Sequence, residues 1–198
     1  MNALNSQPLK SLVLTAWQAT CVYVASNYAQ QFSGANKETK VLRQLRQDLS
    51  YAHPSIQFVG PDNQAKFKQW EIDLVCILGD ETIAIEGKYK IESDGAIPDN
   101  RKLAFFDIYK LEQYVSSGNY SRGLFLWLTN VPNYLREPTG DSSNFSTHHE
   151  RMYLPNTPLT ANRAKNKMPL PLILSGQYAF NWQHVLPYNQ WHMLTLEV

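Results

Sequence analysis

Apolar residues recur at helical spacing near the start of the chain. Leu9, Val13, Trp17, Cys21, Val24 and Tyr28 predict an amphipathic helix over about 8–31. "FSGANKE" interrupts it at Gly34 and Asn36. Val41, Leu42, Leu45 and Leu49 predict a second helix over roughly 37–49, stopped ahead of Pro54. The pattern then shortens. "SIQFVG", "WEIDLVCIL" and "TIAIEGKYK" predict three strands, with "GDET" as a tight turn between the last two. A loop at 93–100 precedes Leu103, Phe106, Ile108, Leu111 and Val115, a broadly helical set closed by Gly118. "GLFLWLTN" is apolar almost throughout, the pattern of a strand covered on both faces.

Residues 37–130 thus read helix, three strands, helix, strand. Three strands close in sequence can form an antiparallel meander, whereas the fourth must cross over through the helix. The predicted fold class is α/β: a mixed central β-sheet flanked by helices, with an N-terminal helix and a Pro-rich C-terminal extension over 131–198, all in a single domain. Pro132, Pro138, Pro155, Pro158, Pro169, Pro171 and Pro187 punctuate that extension. In it, "PLPLILSGQYAF" and "WHMLTLEV" are candidate strands, and "GDSSNFSTHHE" and "TANRAKNK" are candidate polar loops.

Composition narrows the function classes. The chain has 198 residues, and 18 Lys and Arg against 17 Asp and Glu give a net charge of +1. No global basic field exists, so nucleic-acid contact would need a local patch. The two cysteines, Cys21 and Cys76, lie far apart and outside any metal-ligand spacing. A reduced, cytoplasmic setting is the expectation. Gln18 and Gln30 break the apolar character near the N-terminus, which favours a packed helix over an export signal. No stretch reaches bilayer-spanning length.

The chemistry concentrates in "WEIDLVCILGDETIAIEGKYK", residues 70–90. Side chains alternate along a strand, so Glu86 and Lys88 share a face. Pairing through the Gly-Asp turn would bring Asp73 near Glu86. Two adjacent carboxylates require a proton or a cation between them. Hard oxygen ligands suit Mg²⁺ or Mn²⁺, with the Gly87 backbone carbonyl as a further ligand. Lys88 would orient an attacking water or bind a phosphate.

Asp73 followed by Glu86-Gly87-Lys88 resembles the D…E-x-K signature of the PD-(D/E)xK nuclease superfamily, which includes restriction endonucleases, Holliday junction resolvases and repair nucleases. The helix, three strands, helix, strand order is similar to that superfamily's core. The resemblance covers about 37–130. It implies a restriction endonuclease-like fold and a Mg²⁺-dependent (or Mn²⁺-dependent) nuclease hydrolysing phosphodiester bonds. It assigns Asp73, Glu86 and Lys88 as catalytic, and Asp73, Glu86 and the Gly87 carbonyl as metal ligands. Glu38 matches, in chain order, an acid on the first core helix of many members. Lys110 and Gln113 are candidates for a polar residue on the helix after E-x-K. The Q-x-x-x-Y pattern of one branch is not reproduced, since Tyr114 directly follows Gln113.

Each candidate has a plainer alternative. Glu86, Lys88 and Asp73 could be a solvated strand face with weak cross-strand pairing. Charges within an apolar run of a covered sheet favour a site instead. Glu38 is equally a first-turn acid favoured by the helix dipole. Lys102, Arg163, Lys165 and Lys167 are candidate phosphate contacts or ordinary solvated surface. His148 and His149, adjacent and without a helical partner, read as loop rather than as a zinc site. The expected partner is DNA, with RNA left open and no membrane. A homodimer or larger restriction or mobile-element assembly is compatible. The competing expectation is a nuclease-like module that binds nucleic acid or protein without catalysis.

Overall fold

The computed structural model describes residues 8–62, 65–164 and 168–198. Two helices open the chain, α1 (Leu9–Gln31) and α2 (Lys37–Ala52). Five strands follow: β1 (Gln57–Val59), β2 (Ala65–Phe67), β3 (Trp70–Ile72), β4 (Leu74–Leu78) and β5 (Glu81–Lys90). Helix α3 (Ile97–Ser116) leads to β6 (Arg122–Thr129). Beyond it lie two 3-10 turns and the strands β7 (Met152–Tyr153), β8 (Pro158–Leu159), β9 (Leu172–Ile173), β10 (Tyr178–Ala179), β11 (Gln183–Val185) and β12 (Tyr188–Glu197).

The central sheet is mixed and has the order β1-β4-β5-β6-β12-β11. β4 and β5 form the expected antiparallel hairpin, Leu78 opposite Glu81 and Leu74 opposite Ile85, across a two-residue turn of Gly79 and Asp80. β5 and β6 are parallel and joined through α3. The chain is therefore α/β, with helices against both faces of the sheet.

Strand alternation sorts the core into two layers. Leu74, Cys76, Ile83, Ile85, Leu124, Leu126 and Leu128 face α1 and α2. Val75, Ala84, Phe125 and Trp127 face α3 and the C-terminal segment. β6 is consequently covered on both sides, as its apolar run implies. In α1, Leu9, Val13, Trp17, Cys21 and Val24 are buried, but Tyr28 is 38% exposed. A buried carboxylate ties the C-terminal segment to α3. Glu112 accepts the main-chain N–H groups of Ser175 and Gly176 and the Tyr178 hydroxyl, at 2.9, 2.7 and 2.8 Å.

Three features differ from the sequence pattern, and one expected strand takes a place the pattern left open. "WEIDLVCIL" is not one strand: the chain bends at Asp73, and β3 leaves the central sheet to pair with β2. The sequence offers β2 no run long enough to notice. Helix α3 begins at Ile97 rather than Arg101, because Pro98 sits in the first turn, where its missing N–H is tolerated. "PLPLILSGQYAF" supplies two short strands, β9 and β10, in separate pairs rather than one strand. The final apolar run forms β12 and lies beside β6 in the central sheet, with β11 at the edge. Among the described residues no helix is long and apolar enough to cross a membrane.

Candidate functional site

The bend at Asp73 ends the pairing of β4 with β5 at Leu74 and Ile85. Past that point β5 keeps β6 on one side, as far as Lys90 opposite Thr129, and among the described residues has no strand paired on the other. Carboxylates take the strand's place. Asp73 Oδ2 accepts the Gly87 N–H at 2.9 Å. Glu38 Oε1, from the first turn of α2, accepts the Tyr89 N–H at 3.3 Å and pairs with Lys90 Nζ at 2.8 Å. The Asp73 backbone is itself held closely. A Cβ on Gly60, whose φ is +95°, would lie 2.5 Å from the Asp73 carbonyl oxygen, so only glycine fits that approach.

On the α3 face of β5 lies a cluster of buried charge. Glu86 is 1% exposed. Its Oε1 accepts the Tyr114 hydroxyl at 3.0 Å, and its Oε2 accepts Lys110 Nζ at 2.8 Å. Lys110 also reaches Asp107 Oδ1 at 2.8 Å, one helical turn back. Lys88 forms an ion pair with Asp107 Oδ2. Asp107, Lys110 and Tyr114 occupy positions i, i+3 and i+7 of α3, one stripe of the helix facing the sheet.

The titration of each group follows from these neighbours. Burial, then the charges of Asp73 and Asp107, push the Glu86 carboxyl well above the usual range, against the opposing pull of Lys110. Burial raises the Asp73 carboxyl, with Lys88 offsetting part of the rise. Burial would also raise Asp107, but Lys88 and Lys110 hold it below its ordinary value. Burial works to deprotonate Lys88, yet the carboxylates of Asp107, Glu38 and Asp73 reverse this and hold the ammonium above its ordinary pKa. Lys110 is raised in the same way, by Asp107 and Glu86 against burial.

Three carboxylates, Asp73, Glu86 and Asp107, therefore face two ammonium groups, Lys88 and Lys110, and one negative charge is in excess. A proton or a cation can balance it. A hard cation suits the all-oxygen donor set. Asp73 and the Gly87 carbonyl share the edge that β4 leaves open, since a strand residue's N–H and C=O point to the same side. No group of three or more His, Cys, Asp or Glu side chains is arranged to hold a metal ion among the described residues. Lys110 lies against the Glu86 oxygen that a cation would use.

The structure thus brings together Asp73, Glu86, Gly87, Lys88, Glu38 and Lys110. Gln113 stays apart: the hydroxyl one residue on, at Tyr114, reaches Glu86 instead. Lys102 is 2% exposed, so it is neither solvated surface nor displayed toward a phosphate. Arg163 is exposed in a loop, while Lys165 and Lys167 lie outside the described residues. His148 pairs with Glu137 at 2.6 Å. Asp107 and Tyr114 were missed. Their signal is the polar stripe Asp107, Lys110, Tyr114 along a helix face that must meet the sheet. Gln113, by contrast, sits off that stripe. No family model, curated protein or solved structure matches this chain.

Proposed function

We propose that the chain is a divalent-metal-dependent nuclease that hydrolyses phosphodiester bonds in DNA, built on a core of the PD-(D/E)xK kind. One observation carries the reading. Asp73 stands at the end of β4 with its carboxylate on the Gly87 amide, in a buried cluster with Glu86 and Lys88 that carries an excess negative charge. The D…E-x-K spacing and the sheet order add support.

Asp73, Glu86 and the Gly87 carbonyl would hold Mg²⁺ or Mn²⁺, with Lys110 moving off Glu86. Bound there, the ion would lower the pKa of a water ligand and offset charge on phosphoryl oxygens. The chain's own groups have separate tasks. Lys88 remains protonated, so it acts as a fixed positive charge toward phosphate oxygens and not as a general base. Asp107 fixes the position of that ammonium. Tyr114 orients the Glu86 carboxylate. Glu38 seals the β5 edge beside the site.

The test is cleavage of plasmid and oligonucleotide DNA with Mg²⁺ or Mn²⁺ by the wild type, Asp73→Asn and Lys88→Ala. The expected result is cutting by the wild type alone. Undiminished cutting by both variants would sink the assignment. A second reading, a non-catalytic binding module of the same fold, is favoured by the closure of Lys110 over Glu86. Calorimetric titration with Mn²⁺, alone and with DNA, separates the two, because the module binds no metal.

A further inference from the structure

Helix α2 presents a row of three residues to the strands around the candidate site. Glu38, Leu42 and Arg46 are spaced i, i+4 and i+8, one above another on the helix. Glu38 accepts the Tyr89 N–H. Leu42 lies against Gly87, where an added Cβ would meet its Cδ2 at 3.0 Å. Arg46 donates from Nη1 to the Gly60 carbonyl at 2.9 Å. We infer that Arg46 is a positioning residue: acting through Gly60, it fixes the Asp73 carboxylate on the Gly87 amide. Its bearing on catalysis rests on the nuclease reading above.

The contacts form a short chain. β1 ends at Val59 opposite Val75, so Gly60 arrives where β4 gives way to the bend at Asp73. The approach is backbone to backbone. A Cβ on Gly60 would lie 2.5 Å from the Asp73 carbonyl oxygen and 3.3 Å from Leu74 Cα. No side chain lies between them to absorb a shift, so a displacement of Gly60 passes to the Asp73 main chain. Only two torsions separate that main chain from the carboxylate oxygens. Asp73 Oδ2 meets the Gly87 N–H at 2.9 Å, and such a bond weakens steeply once its angle is lost.

Gly60 needs an external tie. Its φ of +95° suits glycine alone, and it has no side chain to anchor it. The Arg46 bond is charge-assisted and stronger than a neutral one. Arg46 is itself half-buried, with its guanidinium 5.7 Å from the centre of the Phe58 ring. The same loop has a second tie to α2: Arg43 Nε donates to Asp62 Oδ1 at 2.8 Å. Those two side chains are 50% and 49% exposed, and a pair so exposed contributes little. Arg43 thus supplies the comparison, with the same helix, loop and charge and a partner other than Gly60.

The test reads the Gly87 amide in the full chain without divalent metal. Arg46→Met keeps an unbranched stem over Phe58 and removes the donor. Its Gly87 amide should exchange about tenfold faster than in the wild type, while amides of the β4–β5 ladder keep their rates. Arg46→Lys keeps the charge on a shorter stem and should show the same selective change at about threefold. Arg43→Gln should match the wild type. By calorimetry, Arg46→Met should bind Mn²⁺ about tenfold more weakly. Its loss of DNA cutting should be recovered by raising Mn²⁺, with KM for DNA unchanged. A wild-type rate at Gly87 in Arg46→Met, or in Arg46→Lys should Arg46→Met not fold, would overturn the inference. Equal acceleration of Gly87 and the ladder amides would also overturn it, because that reports general loosening. A selective change at Gly87, with no cutting by the wild type under any metal, would end the nuclease reading and leave Arg46 its positioning role. Cutting that needs Asp73 but proceeds in Arg46→Met as in the wild type, with the Gly87 amide unchanged, would do the reverse.

Discussion

Replacing Asp73 by Asn and by Ala separates what the site costs the fold from what it contributes. In the native chain Asp73 Oδ2 takes the Gly87 N–H at 2.9 Å. A hydrogen bond to a charged acceptor is worth about 1.5–3 kcal/mol. Asparagine can keep this bond through its amide oxygen; alanine cannot. Both substitutions remove a negative charge that pushes up Glu86 and whose own carboxyl is raised by burial. A carboxyl raised in the folded state holds its proton more tightly there than in the unfolded chain. Stability is then lost as pH rises through and above the ordinary carboxylate range. Asp73→Asn should therefore match or exceed the wild type in urea unfolding at pH 8, and its advantage should shrink on acidification to pH 4. Asp73→Ala leaves the Gly87 N–H without an acceptor and should fall about 1–3 kcal/mol below Asp73→Asn at both pH values. Cleavage should be lost in both. An Asp73→Asn protein destabilised at pH 8 as much as Asp73→Ala would refute the reasoning, because it would mean that the carboxylate's charge supports the fold.

Three further outcomes are expected. Tyr114→Phe leaves Glu86 Oε1 buried without its 3.0 Å partner and should cost about 1–3 kcal/mol, read from the urea midpoint, with slower cleavage. Asp107→Asn removes the buried partner shared by Lys88 and Lys110 and should cost about 3–5 kcal/mol at neutral pH. Because Asp107 is held below its ordinary value, its contribution is present above that range and fades as pH falls through the native value, so the variant's acid unfolding limb should be flatter. Gly87→Ala would place a Cβ 3.0 Å from Leu42 Cδ2 and should cost about 1–3 kcal/mol, with Leu42→Ala then costing less in that background than in the wild type.

The order of the first four strands of the sheet, β1-β4-β5-β6, was legible because its signals are local and periodic. The Gly79-Asp80 turn, the alternation of β5 and the unbroken apolar run of β6 each specify one element, and the α3 crossover specifies a parallel pair. What was not legible depends on distant partners. The polar stripe Asp107, Lys110, Tyr114 marks a helix face but not its partners, and Asp107 meets Lys88 only when that helix docks on β5. Gln113 looked equally suitable, being one turn from Lys110, yet the face toward the sheet is set by 3.6-residue spacing and selects Tyr114. The two-residue strands of the C-terminal third are too short to show any period at all.

The bend at Asp73 was the most consequential departure from the sequence pattern. Had "WEIDLVCIL" continued as one strand, the register of β4 with β5 carried two residues further would set Ile72 opposite Gly87. A full ladder would then cover the β5 edge, and the amides of Gly87 and Tyr89 would bond to backbone. Instead β3 turns away to pair with β2, and Asp73 and Glu38 satisfy those amides with carboxylate oxygens. Backbone N–H groups at an open edge need acceptors, and acceptors that carry charge gather positive groups around them. Lys90 at Glu38 and Lys88 within the field of Asp73 follow from that requirement. The acids proposed to hold a metal are thus the same groups that finish the sheet. Removing the charge while keeping the acceptor should therefore abolish chemistry and spare the fold.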